Sequence, residues 1–161
     1  MDISDILDME YDTCCVTGHR DIPEDRLDYV KTEMKKEILQ AIRDGYTRFI
    51  SGFAGGSDLI FAQIVLALQK EGQSISLEAA IPYQKRLYSK DPQFQILISG
   101  CDRVKVLSPQ YHRGCYFERN RYMVDESSRI LAVYDGRKTG GTFYTIHYAG
   151  KHNKGIHMIY V

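Results

Sequence analysis

The apolar residues of this chain follow two spacings that alternate along its length. Short, nearly continuous apolar runs predict strands at residues 11–17, 47–51, 76–81, 103–107, 129–134 and 156–161. Stretches in which apolar residues recur every three or four positions predict helices at residues 26–44, 58–70, 93–101, 116–127 and 141–152. Strands that alternate with helices, over connections too long for hairpins, indicate an α/β fold: a mostly parallel sheet with helices on both faces.

Nothing in the composition divides the chain into parts. It contains no internal repeat, low-complexity tract or linker, so residues 1–161 are interpreted as one domain in which residues 1–10 form an N-terminal tail. With 161 residues, of which 43% are hydrophobic, the chain can bury most of its apolar surface in a single core.

The sequence gives no sign of export or of membrane insertion. The acidic N-terminus lacks the basic region and apolar stretch of a signal peptide, and there is no run of about 18 apolar residues. The four cysteines form no CxxC pair. We therefore expect a reduced, cytoplasmic protein without membrane contact. His147, His152 and His157 are spaced at five residues, which does not suit a helical metal site, so no metal is predicted.

Three predicted strands end at a glycine-containing turn that precedes a helix. The turns are CCVTGHR at 14–20, FISGFAGGSD at 49–58 and ILAVYDGRKTGGT at 130–142. In a parallel sheet, turns that follow strands lie on the same edge, where ligands of such sheets bind. Glycine lets the backbone approach a ligand, and the start of a helix offers free N–H groups and a positive dipole end. The pattern therefore predicts a site for a nucleotide or another phosphorylated ligand.

The second turn has the highest glycine content and carries Ser57 or Asp58 as an N-cap for the next helix. A tight strand-to-helix turn would also use glycine, but the glycine density favours anion binding. The third turn offers Gly140, Gly141 and Thr142 at the start of the last helix. The chain has neither GxGxxG nor GxxxxGK[ST], so it carries neither a dinucleotide-binding fingerprint nor a P-loop.

Four separated motifs resemble those of the YpsA-like branch of the SLOG superfamily, named after the Smf/DprA and LOG proteins. They are TGHR, SGFAGGSD, RNRYMVDES and VYDGRKTGGT, and the resemblance runs from about residue 15 to residue 149 in the order of that family. It implies a Rossmann-like three-layer sandwich with a pocket for a nucleotide or an ADP-ribose-like ligand. No other cofactor is expected.

The resemblance also implies which residues form that pocket. Arg119 falls at the arginine of the RKxxM motif of LOG enzymes, and Tyr134 lies where it can contact a base. The other implied binding residues come from the three turns: Gly18, His19, Arg20, Gly52, Phe53, Ala54, Gly55, Gly56, Ser57, Asp58, Gly140, Gly141 and Thr142.

The resemblance leaves open whether the protein is an enzyme or a sensor. LOG proteins are phosphoribohydrolases, which cleave an N-glycosidic bond, and their PGGxGTxxE motif supplies a glutamate that acts at the sugar. At the matching position this chain has Thr145. If another group takes that role, the candidate catalytic residues are Arg119, Asp58 and Glu118, although Asp58 can equally serve as a helix N-cap.

Binding of single-stranded DNA is the second alternative. SGFAGGSD is similar to the SGxAxGxD loop of DprA/Smf proteins, and a basic and aromatic cluster follows at His112, Arg113, Arg119 and Arg121 with Tyr111, Tyr116 and Phe117. However, 21 Lys and Arg residues balance 21 Asp and Glu residues, and this balance disfavours a long polyanion as ligand. We therefore expect a small nucleotide as ligand rather than nucleic acid. The sequence is also compatible with a homo-oligomer.

Overall fold

The computed structural model describes residues 12–161. The strands are β1 Thr13–Gly18, β2 Arg48–Ser51, β3 Ser76–Ile81, β4 Arg103–Val106, β5 Arg129–Tyr134 and β6 Gly155–Tyr160. The helices are α1 Leu27–Arg43, α2 Ser57–Lys70, α3 Pro92–Ser99, α4 Cys115–Asp125 and α5 Gly141–Lys151. Two 3-10 turns, Glu24–Arg26 and Gln84–Tyr88, complete the regular structure of this part of the chain.

The six strands form one sheet in the order β4-β3-β2-β1-β5-β6, and every neighbouring pair is parallel. The chain builds outward from β1 to β4 and then returns to place β5 on the free side of β1. The strand order therefore reverses between β1 and β5, which is the position where open parallel sheets bind their ligands. The predicted α/β, Rossmann-like fold class is confirmed.

Helices cover both faces of the sheet. Val30 and Met34 of α1 and Phe61 of α2 belong to the larger core cluster, which also contains Cys14 of β1. Met123 of α4 belongs to the smaller cluster on the opposite face, where it is joined by Cys15 and by Ala149 of α5. Neighbouring strand residues point to opposite faces of the sheet. The inner strands β1, β2, β3 and β5 are buried on both sides, whereas the edge strands β4 and β6 are partly exposed.

The predicted element boundaries agree with the structure to within a few residues. Strands β3 and β5 have the predicted bounds. Gly45 adopts a φ of +97° directly after α1, where its N–H donates to the carbonyl of Ile42, as a glycine after a helix C-terminus commonly does. The predicted N-terminal tail and the first residue of the predicted first strand lie outside the described residues. Among residues 12–161, no helix is both long enough and apolar enough to cross a membrane.

Candidate functional site

A cavity of about 920 Å³ opens at the carboxyl-terminal edge of the sheet. Its floor is residues 16–21, which are the end of β1 and the turn that follows. One wall is α4, and the adjoining wall is the loop after β5 together with the start of α5. The cavity therefore lies at the β1–β5 reversal of the sheet, and its volume falls in the range of small-molecule sites.

The structure brings part of the predicted binding set to this cavity. The residues of that set that line it are Gly18, His19, Arg20, Ala54, Asp58, Arg119, Gly140, Gly141 and Thr142. Those that do not are Gly52, Phe53, Gly55, Gly56, Ser57 and Tyr134, and the candidate catalytic residue Glu118 is also outside it. Glu118 is half exposed and lies 3.2 Å from His112. The ligand-binding role of every residue in both groups stays a prediction.

The second glycine turn is packed against the first. Ser57 donates to the carbonyl of His19 from its N–H at 3.3 Å and from its Oγ at 2.9 Å. Gly56 has a φ of +49°, and a Cβ at this position would lie 2.6 Å from the carbonyl oxygen of Arg20. The N–H of Ala54 donates to Asp58 at 3.0 Å. The glycines of this turn are thus explained by packing, because residues without a Cβ let the two loops approach closely. Several N–H groups of the turn also have acceptors within the protein already.

The N-terminus of α5, in the third glycine turn, is open. The N-cap Gly140 has a φ of +94°, no side chain caps the helix, and its first turn contains no acidic residue. Within residues 12–161, the N–H groups of Gly141, Thr142 and Phe143 have no acceptor, and all three residues line the cavity. A helix end of this kind presents free donors and a positive partial charge to an anion.

Two of the three guanidinium nitrogens of Arg119 donate hydrogen bonds within residues 12–161, and the third does not. The residue is only 4% exposed. Its Nε donates to Oδ1 of Asn120 at 2.8 Å and its Nη1 donates to the carbonyl of Gly52 at 2.6 Å. Its Nη2 has no hydrogen-bond partner in the described part of the chain, and the side chain lines the cavity. Burial lowers the pKa of Arg119 while Asp58 opposes this effect, and the guanidinium stays charged.

Asp58 faces the same space. It is 6% exposed, and its Oδ2 accepts the N–H of Ala54. Its Oδ1 has no partner among the described residues. Burial raises the pKa of Asp58, and the nearby Arg119 charge opposes the rise. Asp58 and Arg119 are close but make no ion pair within 4.0 Å. Oδ2 and Nη1 lie 3.0 Å and 2.9 Å from the point where a Cβ on Gly52 would sit, which explains the glycine there.

His19 joins the loops after β1 and β5. Its ring is buried, and Nε2 lies 3.1 Å from both the backbone nitrogen and Oδ1 of Asp135. An unprotonated Nε2 accepts from that N–H, and a protonated Nε2 donates to the carboxylate. Arg137 then connects the Asp135 carboxylate, at 2.6 Å, to Asp21, at 3.4 Å. This chain of contacts crosses the cavity rim and fixes one loop relative to the other.

The protonation of His19 is expected to make the stability of the protein depend on pH. Burial lowers its pKa, while the Asp135 carboxylate opposes this. The unfolded chain therefore takes up the proton more readily once the pH falls below about 6.5, so protonation favours unfolding. We expect the free energy of unfolding to decrease between pH 7.5 and pH 5.5, and the decrease to be smaller in His19→Gln. Urea denaturation of both proteins at the two pH values measures this, and equal decreases would contradict it.

Sequence reasoning missed several cavity residues. Phe117 of α4 and Tyr144 of α5 line the cavity, and their ring centroids are 4.5 Å apart, which forms an aromatic wall. Asn120 and Arg137 also line it. Asn120 had a signal, since it stands next to Arg119 in the RNRYM motif. Phe117 was predicted only as part of the aromatic cluster of the DNA-binding alternative, and its pairing with Tyr144 had no signal, because the sequence does not reveal that α4 packs beside α5.

The position that corresponds to the LOG glutamate carries no carboxylate in this protein. Thr145 is buried, and its Oγ1 donates to the carbonyl of Gly141 at 2.7 Å, one turn earlier in the helix. Within residues 12–161, no group of three or more His, Cys, Asp or Glu side chains is placed to hold a metal ion.

Comparisons with known proteins find relatives over most of the chain. A family model described as the YspA SLOG family matches residues 14–161. The SPbeta prophage-derived protein YoqJ of Bacillus subtilis is 30% identical over 140 residues, covering 74% of this chain and 81% of YoqJ. A UPF0398 protein of Bacillus pumilus is 24% identical over 129 residues, covering 76% of this chain and 69% of that protein.

A similar fold occurs in a solved structure. DNA processing protein A from Helicobacter pylori, whose structure was described for its single-stranded DNA binding mode, superposes with a TM-score of 0.65. The superposition covers 96% of this chain and 67% of that protein, at 17% sequence identity. At this level of identity, the likeness concerns the Rossmann-like fold and does not extend to the ligand.

Proposed function

This chain belongs to the YspA SLOG family, and from that membership we propose that it binds a nucleotide or nucleotide-derived phosphorylated ligand in the β1–β5 cavity, as a sensor or regulator. One observation carries the proposal: the open N-terminus of α5 and the spare Nη2 of the buried Arg119 face the same cavity. Both are donors without an acceptor in residues 12–161, and donors of this kind are available to a ligand or to water.

The arrangement suits a phosphate and a base at different places. The N–H groups of Gly141 and Thr142 would bind the phosphate, as they do at other open helix ends. Asn120 contributes a further donor. Its Oδ1 accepts from Arg119, and its Nδ2 lies at the start of α5, 3.8 Å from the point where a Cβ on Gly141 would sit. The aromatic wall of Phe117 and Tyr144 would pack against the base.

Binding is favoured over LOG-type cleavage of the ligand. The first turn of α5 carries no acidic residue, and Thr145 occupies the place of the glutamate that acts at the sugar in that branch. General acid or base catalysis at the glycosidic bond needs a titratable group within hydrogen-bond reach, and of the candidate catalytic carboxylates only Asp58, which accepts the N–H of Ala54, lines the cavity. Incubation with nucleoside monophosphates, followed by chromatography for free base, tests this choice, and brisk base release would overturn it.

The substitution Gly141→Asp tests the phosphate site. A carboxylate at this position repels a bound anion and competes for the free N–H groups, yet it is favourable at a helix N-terminus. We expect at least about a thirtyfold loss of affinity, which is about 2 kcal/mol, with an unchanged or higher melting temperature. Calorimetric titration with AMP, ADP and ADP-ribose measures the affinity.

Gly141→Ala is the matched control for this substitution. The nearest atom to its Cβ is Nδ2 of Asn120 at 3.8 Å, an ordinary contact, so the alanine protein is expected to bind within about threefold of the wild type. Equal affinities of the aspartate and alanine proteins would refute the phosphate site. If none of the three ligands binds the wild-type protein or raises its melting temperature, the proposed function itself is wrong.

A further inference from the structure

The chain contains two steps at which a glycine follows an aspartate, Asp44–Gly45 and Asp135–Gly136. Because glycine has no Cβ, its backbone nitrogen can approach the carboxyl carbon of the preceding aspartate with little hindrance. Attack by that nitrogen closes a five-membered cyclic imide, which water opens to aspartate or to isoaspartate. Both steps are therefore capable of a spontaneous change of the backbone, and the surrounding residues decide whether it occurs.

The first step is held at the end of α1. Asp44 has φ −83° and ψ 2°, and the N–H of Gly45 donates to the carbonyl of Ile42 at 3.1 Å. The Asp44 carboxylate accepts from Arg129 at 2.9 Å and from Gln40 at 3.0 Å. Both reacting groups, the amide nitrogen and the carboxyl carbon, thus have partners outside the step, and we expect it to be unreactive.

The second step is open on the glycine side. Asp135 and Gly136 lie in the connection after β5, outside the helices and strands. Within residues 12–161, the N–H of Gly136 has no acceptor, and a Cβ at this position would meet no atom within 4 Å. The glycine nitrogen is therefore free to approach the carboxyl carbon, so the restraint on this step has to come from the aspartate side.

Arg137 supplies that restraint. Its Nη2 lies 2.6 Å from Oδ2 of Asp135, its Nε lies 3.1 Å from Oδ1 and 3.0 Å from Oδ2, and its backbone N–H donates to Oδ1 at 3.0 Å. These bonds hold the pKa of the Asp135 carboxyl well below its usual range. The carboxyl group cannot turn toward the glycine nitrogen without losing them, and an ionised carboxylate is a poorer electrophile than a carboxylic acid.

We propose that Asp135–Gly136 is a site of spontaneous conversion to isoaspartate and that the Arg137 side chain holds this conversion in check. The Gly136 nitrogen bonds to Cγ of Asp135, and one carboxyl oxygen leaves as water with the proton of that nitrogen and a proton from solvent. Water then adds to the main-chain carbonyl carbon of the imide, whose bond to the nitrogen breaks. Isoaspartate results, the mass of the chain is unchanged, and water is the only other reactant.

Conversion would alter the rim of the cavity. In isoaspartate the backbone runs through Cβ and Cγ, so the loop between β5 and α5 gains one carbon. The remaining carboxylate is attached to Cα and leaves the place where Arg137 and His19 contact it. Because Arg137 lines the cavity, the loop would lose its connection to the turn after β1. This inference does not depend on the proposed function.

The test follows isoaspartate during storage of the purified protein at neutral pH and physiological temperature. Samples taken over several weeks are digested with chymotrypsin, and the peptides with each Asp-Gly step are analysed by chromatography and electron-transfer fragmentation, which distinguishes isoaspartate from aspartate. Arg137→Gln keeps a polar side chain but removes the guanidinium. We expect isoaspartate at position 135 to accumulate about fivefold faster than in the wild type, a modest effect because the ion pair is partly exposed.

Three controls accompany this variant. Asp21→Asn removes the other carboxylate near Arg137, 3.4 Å away, and leaves the contacts with Asp135 in place, so we expect the wild-type rate. Gly136→Ala, made together with Arg137→Gln, adds a Cβ beside the attacking nitrogen and should slow the conversion again. Asp44–Gly45, measured in the same digests, reports any general loosening of the chain.

Each outcome decides for or against the proposal. Faster conversion at position 135 alone, absent in Asp21→Asn and reversed by Gly136→Ala, supports it. Equal rates at position 135 in Arg137→Gln and the wild type would show that the guanidinium restrains nothing, and the proposal would be wrong. If both Asp-Gly steps accelerate together in Arg137→Gln, the substitution has loosened the whole chain, and the proposed role of Arg137 is also wrong.

Discussion

Replacement of Gly56 by alanine is expected to lower the free energy of unfolding by about 3 kcal/mol or more. Gly56 has φ +49° and ψ −118°, a conformation that residues with a Cβ rarely adopt, and such strain costs about 1–3 kcal/mol. The new methyl carbon would also lie 2.6 Å from the carbonyl oxygen of Arg20 and 2.7 Å from that of His19. These are backbone atoms, so the loop itself must move, and such overpacking adds about 1–3 kcal/mol.

Gly55→Ala separates the two contributions. Gly55 also has a positive φ, +110°, but a Cβ there meets only the Arg20 Cγ, at 4.0 Å. Its cost is therefore strain alone, about 1–3 kcal/mol. Urea denaturation followed by circular dichroism gives both free energies, and in a chain of this size each kcal/mol lowers the melting temperature by about 2–4 °C. Equal losses in the two variants would show that contact between the loops adds nothing.

Arg48→Met is expected to destabilise the protein by about 3 kcal/mol at pH 7, for a different reason. Glu78 is 2% exposed, and Oε1 accepts from Nη2 of Arg48 at 2.8 Å. Oε2 accepts from the Tyr122 hydroxyl at 2.6 Å. Burial and this hydrogen bond raise the pKa of Tyr122 to about 12, so the tyrosine stays a donor at neutral pH. Without Arg48, the remaining cation, Arg103, is 3.6 Å away and largely exposed, which leaves the buried carboxylate poorly compensated.

A double-mutant cycle tests this explanation. Removal of one partner of a buried pair costs about 3–5 kcal/mol, whereas replacement of both costs much less. In Arg48→Met/Glu78→Gln, the buried group is neutral, so we expect most of the lost stability to return. The free energies of unfolding of the wild type, both single variants and the double variant complete the cycle. A double variant no more stable than Arg48→Met would mean that the guanidinium acts by packing and not by charge.

The fold was predictable because its inner strands are buried on both faces. The runs at 76–81 and 129–134 are apolar at four and at five of their six positions, and β3 and β5 begin and end at these residues. The regular spacing of Val30, Met34 and Ile38 along α1 corresponds to the buried side of that helix. Such signals are local, and local spacing determines the element type before any tertiary contact is known.

The candidate site was predictable only in part, because its details depend on contacts between distant segments. The sequence identified three glycine turns on one edge, and the structure places residues from all three around one cavity. It did not reveal which glycines face the cavity and which face another loop. Gly141 faces the cavity, whereas Gly56 faces another loop, because residues 19–20 pack on residues 56–57. Nor did it reveal that Phe53, which has a Cβ, adopts a positive φ of 53°.

The interlock of the first two turns restricts how this protein can be recombined with its relatives. The carbonyl of His19 accepts both the N–H and the hydroxyl of Ser57, and Gly18 has no room for a Cβ because Ser57 Oγ would lie 2.4 Å away. A chimera that imports residues 51–58 from a homologue must therefore import residues 18–20 as well. The two turns are separated in sequence by the whole of α1, yet their residues pack as one unit. We therefore expect substitutions in one turn to be accompanied by substitutions in the other among homologues.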